Sequence, residues 1–262
     1  MSTQPLLQES TPETHEIALA PLQSEETKGY VGFIHHPGRD QYGLLDLPQD
    51  KLTSQQSIEI KTIHQIPLFH HLREEFSEIF SSLVPVLKAK DPELFRHSSR
   101  VHSLALTFAA RTLQLTEAES LKIGLAAFFH DVGKLHIDDN LLQKASGLTR
   151  QEYEIIKNHP AYGADIVSEF KLIQNVIPSL YHHHERLDGK GYPEGLRGKA
   201  IPLGARIIAI ADAFEVMTSQ RKYQKTRTSA QAMEELYEHA GTQFDIELVE
   251  LFRTFYEISP HL

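Results

Sequence analysis

Three clusters of histidine and carboxylate hold the chemistry this chain could perform. The first, Phe129-His130-Asp131-Val132-Gly133-Lys134, closes an apolar helical run. Successive helical residues point about 100° apart, so His130 and Asp131 can serve one metal only at a helix end, best if the carboxylate bridges two ions. Gly133 would let the chain leave the helix, and Lys134 sets a cation beside the site. The plainer reading is a histidine capping the last carbonyls next to an exposed aspartate. The second cluster is Tyr181-His182-His183-His184-Glu185, followed by the glycine-rich Arg186-Leu187-Asp188-Gly189-Lys190-Gly191-Tyr192-Pro193. Three consecutive imidazoles are costly to bury unless a metal or hydrogen bonds use them; their alternative is a polar surface turn. The third is Ala209-Ile210-Ala211-Asp212-Ala213-Phe214-Glu215, where Asp212 sits in an apolar helical run; an unpaired carboxylate there is expensive and a metal cation is the simplest partner. His97 and His159 are weak signals taken singly, and for each a core or surface histidine is the plainer reading.

The chain has 16 histidines and no cysteine, which excludes thiolate zinc sites, disulfides and a cysteine nucleophile. Any metal must be held by imidazole and carboxylate. The net charge is −9, and residues 1–66 carry four Lys/Arg and nine Asp/Glu, so most of the excess lies there. An acidic chain is a poor general nucleic-acid binder, since that binding rests on Lys/Arg neutralising phosphates; DNA is not an expected partner. No apolar run reaches the roughly 18 residues of a membrane span, and the polar, acidic start lacks a signal-peptide pattern, so a cytoplasmic location is the expectation.

The elements that must position these clusters are mainly helical. Residues 1–26 read as a tail, and 29–66 contain short β-like pieces, Tyr30–Ile34 and Gly43–Leu47, punctuated by Gly and Pro; together 1–66 form a tail and small appendage of unassigned role. The pairs His35-His36 and His70-His71 have no second ligand cluster near them and read as surface or packing residues. From Pro67 the period becomes helical. Leu68, Leu72, Phe76, Ile79, Phe80, Leu83, Val84 and Leu87 make a stripe that suits a core-facing helix or a dimer helix over 68–89, with a kink near Pro85. Helices are expected at about 95–113, 117–130, 149–157, 161–184, 203–219, 229–239 and 245–256. Capping boxes at Thr116…Glu119 and Thr149…Glu152 mark two starts. The irregular stretch 185–202 is of the kind that carries function.

In this order, HDVGK at 130–134, HHERLDGKGYP at 183–193 and IPLGARIIAIADAFEVMTSQRKY at 201–223 resemble the HD-GYP family. This is the branch of HD-superfamily phosphohydrolases that hydrolyses cyclic dinucleotides, and the resemblance covers about 67–258. It implies a helical HD domain over 67–262 whose metal ligands are His97, His130, Asp131, His159, His183, His184 and Asp212, with Asp131 bridging two ions. Some members hold a third ion through a glutamate one turn before the first histidine; Glu93 stands there, which favours three ions over two. Iron or manganese is implied. His182 is expected to support the pair that follows it.

On the substrate side the resemblance places Lys134 beside the scissile phosphate, Arg221 on phosphate, and Gly191, Tyr192 and Pro193 in the loop linked to substrate access and to partners such as diguanylate cyclase (GGDEF) domains. Asp131 and Lys134 are then the catalytic pair. Three positions depart from the pattern: Glu215 for Asp, Lys222 for Pro and Leu187 for an aromatic. The implied reaction is attack of a metal-bridging hydroxide on cyclic di-GMP, giving pGpG and onward GMP. The alternatives are 3′3′-cyclic GMP-AMP or another nucleotide on the same fold, a weakly active receptor or interaction module, and a metal-free helical scaffold.

Overall fold

The computed structural model describes residues 16–23, 28–36, 41–48, 73–144, 146–219 and 226–258, with side chains from residue 82 onward except at 117, 172 and 258. Strands β1 (Glu16–Gln23), β2 (Lys28–His36) and β3 (Gln41–Pro48) form an antiparallel sheet in the order β1-β2-β3, with Leu19 opposite Gly32 and Phe33 opposite Leu44. The two β-like pieces fall inside β2 and β3. β1 occupies part of what the sequence read as tail: its Ala-Leu-Ala-Pro core lacks alternation, and Pro21 is tolerated because β1 is an edge strand.

The remaining elements are helices: α1 (Arg73–Lys90), α2 (Pro92–Thr112), α3 (Glu117–Phe129), α4 (Asp139–Leu142), α5 (Arg150–Ile156), α6 (His159–Ser168), α7 (Ile177–Tyr181), α8 (Leu203–Thr218), α9 (Ser229–Glu238) and α10 (Ile246–Ile258). Both capping boxes form as read: Thr116 accepts from the Glu119 amide, and Thr149 from that of Glu152. A third box, Thr228 with Gln231, starts α9. In α1, Leu68 and Leu72 of the expected stripe lie outside the described residues, while Val84 and Leu87 are buried.

One helix over 161–184 does not exist. α6 ends at Ser168, a 3₁₀ segment covers Lys171–Val176, and α7 restarts at Ile177. Phe170 is extended (ψ 97°), and Pro178, which lacks an N–H, sits where prolines begin helices rather than continue them. The break lets α6 pack on the 3₁₀ turn Val132–His136 while α7 packs on α8.

The core is apolar and aromatic. α2 packs against α3 and α8, and Phe108, Phe128, Phe129 and Phe252 are fully buried. The Phe108 and Phe252 rings meet edge to face at 5.2 Å, and Phe214 meets Phe252 at 5.3 Å. This fixes α2, α8 and α10 against one another, and so fixes His97 on α2 opposite Asp212 on α8. No helix among the described residues is long and apolar enough to cross a membrane.

Candidate metal centre

Every cluster residue sits at or near a helix end, apart from His97 and Asp212, which face each other from the interiors of α2 and α8. The described residues form two groups of potential ligands: Asp131, His159, His183 and His184, and His97, His130 and Asp212; within each group the ligand atoms lie within 4.8 Å of one another. Asp131 faces both groups. Its Oδ1 lies 3.1 Å from His159 Nε2, and its Oδ2 lies 3.4 Å from His130 Nε2 and 3.7 Å from His97 Nε2. Asp212 Oδ1 is 3.2 Å from His97 Nε2 and 3.9 Å from His130 Nε2.

The backbone fixes which nitrogen each ring offers. His130 Nδ1 donates to the Ala127 carbonyl at 2.7 Å, His159 Nδ1 to Ile156 at 2.8 Å, and His183 Nδ1 to Leu180 at 2.6 Å. The carbonyl can only accept, so each Nδ1 carries the proton and each Nε2 is turned inward, as a metal ligand needs. His130 thus caps a carbonyl through one nitrogen, as the plainer reading has it, and turns the other toward Asp131. Asp131 is buried rather than exposed.

Two of the inward atoms lack a hydrogen-bond partner among the described residues. His130 Nε2 and Asp131 Oδ1 are buried and make no hydrogen bond, while His159 Nε2 and His183 Nε2 point at each other across 3.3 Å. Burial, then the neighbouring His184, His130 and His159, hold His183 well below the usual histidine range. Burial and His159 take His184 down to about 3. These rings are therefore neutral near pH 7, and converging lone pairs beside the buried Asp131 and the partly buried Asp212 are what divalent cations satisfy. Lys134 and His130 outweigh the upward pull of burial and keep Asp131 ionised; hydrogen bonding from His97 does the same for Asp212. The donor set of imidazole and carboxylate, gathered in two groups, fits divalent metal ions.

Glu215, noted in the sequence only as a departure from pattern, is a working part of the site. It is buried three residues after Asp212, on the adjoining face of α8. Its Oε2 takes a 2.6 Å hydrogen bond from His97 Nδ1, and its Oε1 one of 2.5 Å from Arg100 Nε and one of 2.6 Å from Ser219. Burial alone would lower His97, but Asp212 and Glu215 hold it up at about 9. Glu215 thus fixes the ring so that Nε2 faces Asp131 and Asp212, as the carbonyls do for the other histidines.

Glu93 is in neither group. Its side chain is 59% exposed and is held by Arg96 at 2.6 Å, with Arg100 at 3.6 Å. Two arginines, three and seven residues on, pair with it at the surface, and it stands apart from the two groups that would hold metal. Glu93→Ala should leave metal content by elemental analysis at two ions per chain, and a fall by one ion would restore the three-ion reading. His182 also turns away, with Nδ1 on the Pro178 carbonyl at 2.8 Å and Nε2 3.5 Å from Glu194. It belongs to neither ligand group.

Lys134 Nζ sits 2.5 Å from Asp131 Oδ2 and is partly exposed, so its charge borders both the ligands and the opening. Tyr192 stacks on His184, with ring centroids 4.7 Å apart and planes at 28°. The glycine-rich loop is fastened from several sides. Buried Glu185 accepts from the amides of Glu194 (2.7 Å) and Gly195 (2.9 Å). Arg186 forks onto Asp188 and reaches Gln243 at 2.6 Å. At Gly191 a Cβ would run into the backbone of residues 184–186, which is why glycine is needed there. Arg221 and Lys222 lie outside the described residues.

The HD-domain family profile matches residues 81–248. The chain belongs to the HD-domain family. It is 38% identical over 192 residues to the 3′3′-cGAMP-specific phosphodiesterase 2 of Vibrio cholerae, covering 72% of this chain and 37% of that protein. It is 34% identical over 230 residues to the cyclic di-GMP phosphodiesterase response regulator RpfG of Xanthomonas campestris, covering 85% and 61%. To the cyclic di-GMP phosphodiesterase of Thermotoga maritima it is 35% identical over 177 residues, covering 67% and 48%. The HD chain therefore spans 37% to 61% of these relatives' lengths. Among solved structures, the Bdellovibrio bacteriovorus HDG"Y"P protein Bd1817 aligns with a TM-score of 0.52 at 24% identity, over 70% of this chain and 58% of that one, which supports the helical fold.

Proposed function

We propose that the helical unit, residues 67–262, hydrolyses a phosphodiester bond of a cyclic dinucleotide, with cyclic di-GMP as substrate and pGpG as first product. The observation that carries this reading is the pair of ligand groups meeting at Asp131. Divalent ions held there, iron or manganese, would neutralise phosphoryl oxygens and activate water near neutral pH. Their holders are His97, His130 and Asp212 on one side and His159, His183 and His184 on the other, with Asp131 facing both.

The chain's own groups account for the rest. A phosphodiester is anionic and repels an anionic nucleophile, so it must meet positive charge. Lys134, pinned by Asp131 and partly exposed, would supply a cation where charge develops on the departing 3′ oxygen and would give that oxygen a proton. Water adds to phosphorus, the P–O3′ bond breaks, and the products are a 5′-phosphate and a free 3′-hydroxyl. No protein nucleophile is needed. Tyr192 holds the ring of His184 by stacking and closes one wall of the site.

A second reading, 3′3′-cyclic GMP-AMP as the preferred substrate, is favoured by the likeness to the Vibrio cholerae phosphodiesterase. Turnover of the two compounds by iron- or manganese-loaded protein, with products resolved by chromatography, decides between them. Cyclic di-GMP is expected to be cut with the higher kcat/KM and to appear as pGpG before GMP. Hydrolysis of neither compound would overturn the phosphodiesterase reading.

A further inference from the structure

Helix α5 leaves Tyr153 47% exposed, with Leu148 and Ile155 exposed nearby in sequence. A half-exposed aromatic ring on a soluble domain gains little from packing, and its neighbours tie it to the site. Lys157 Nζ lies 5.9 Å from the Tyr153 ring centroid and 5.3 Å from that of Tyr192, and Tyr192 in turn stacks on His184. One ammonium thus rests against two aromatic rings, one over a metal-ligating histidine and one on the rim. Cation–π contact orders both rings without covering the exposed phenol. Lys157 is also held by Glu154 at 3.1 Å, which keeps it at the rim.

We propose that Tyr153 is a stacking platform for a purine base of the substrate and so contributes to its binding. This rests on the cyclic-dinucleotide reading above. Such a ligand carries two bases, and while one phosphodiester lies at the metals, an attached base must leave the site along its rim. An exposed aromatic ring accepts any purine face, and such stacking contributes on the order of tenfold or more in affinity per base. Tyr153 does not touch the reacting phosphorus, so it acts on binding rather than on the bond-breaking step.

The chain has no tryptophan, so Tyr153→Trp places a single fluorescent reporter at the rim. In metal-loaded full-length protein, a hydrolysis-resistant bis-phosphorothioate analogue of cyclic di-GMP should quench its emission, and inorganic phosphate should not. In steady-state assays with cyclic di-GMP, Tyr153→Ala should raise KM roughly tenfold with kcat little changed, and Tyr153→Phe should restore the wild-type KM. If wild-type protein cuts cyclic di-GMP but Tyr153→Ala keeps its KM, or emission stays constant while the analogue competitively inhibits, stacking at Tyr153 is wrong and the phosphodiesterase reading stands. If wild-type protein neither cuts nor binds cyclic di-GMP, both fall together.

Discussion

Asp131→Ala should strip the protein of both ions, whereas Asp212→Ala should remove one. The asymmetry follows from position. Asp131 directs one oxygen at His159 and the other at His130 and His97, so it borders both ligand groups. Asp212 belongs only to the group with His97 and His130. Loss of Asp131 also leaves Lys134 without the carboxylate that pins it, so turnover should fall by on the order of a thousandfold, the scale of losing a principal electrostatic catalyst. Elemental analysis beside a turnover assay checks both parts. Asp131→Ala protein that still holds two ions per chain would show that the carboxylate is not shared.

Gly133→Ala should be the most damaging methyl group that can be added to this domain. A Cβ there would run into the carbonyl of His159 and the amide nitrogen of Gly163. The first turn of α6 is backbone and cannot give way as a flexible side chain would, so the 3₁₀ turn and α6 must separate. Overpacking of this kind costs about 3 kcal/mol, or a fall in Tm of roughly 6–12 °C for a domain of this size. The same displacement moves His159 away from Asp131, so metal affinity should fall with stability. Gly147→Ala is the control, since a Cβ there meets nothing within 4 Å, and thermal denaturation of the two variants compares them. Equal melting temperatures would mean that the close approach of α6 is not needed.

Gly133 also shows where reading the sequence stopped short. The glycine was visible, but the reason given for it was helix exit. It is not among the positive-φ residues, and what demands glycine is an approach by His159, residues away in sequence. The candidate cluster was legible because burying imidazole and carboxylate is so costly that their pattern carries its own explanation: the fold brings His130-Asp131 at the end of α3, His183-His184 just past α7 and Asp212 within α8 together. Glu215 was less legible as a partner of His97, since the contact joins α8 to α2 across 118 residues of chain. Glu93 shows the converse: its spacing from His97 suits a ligand, while the structure pairs it with Arg96 and Arg100 at the surface.

In the fold, the capping boxes located starts of α3 and α5, because these signals are local. The break between α6 and α7 was missed although Pro178 stood in plain view, since apolar residues on both sides kept a helical period running through it. β1 was missed for the opposite reason, having β structure without the alternation that announces it.

The measurement that tests the central claim most directly is a titration of metal-free protein with manganese or ferrous iron under anaerobic conditions, following hydrolysis of cyclic di-GMP chromatographically at each step. Two ions meeting at one carboxylate predict that activity rises with added metal, levels off at two equivalents per chain, and yields pGpG. Hydrolysis that is complete at one equivalent, or the same with no metal at all, would contradict it.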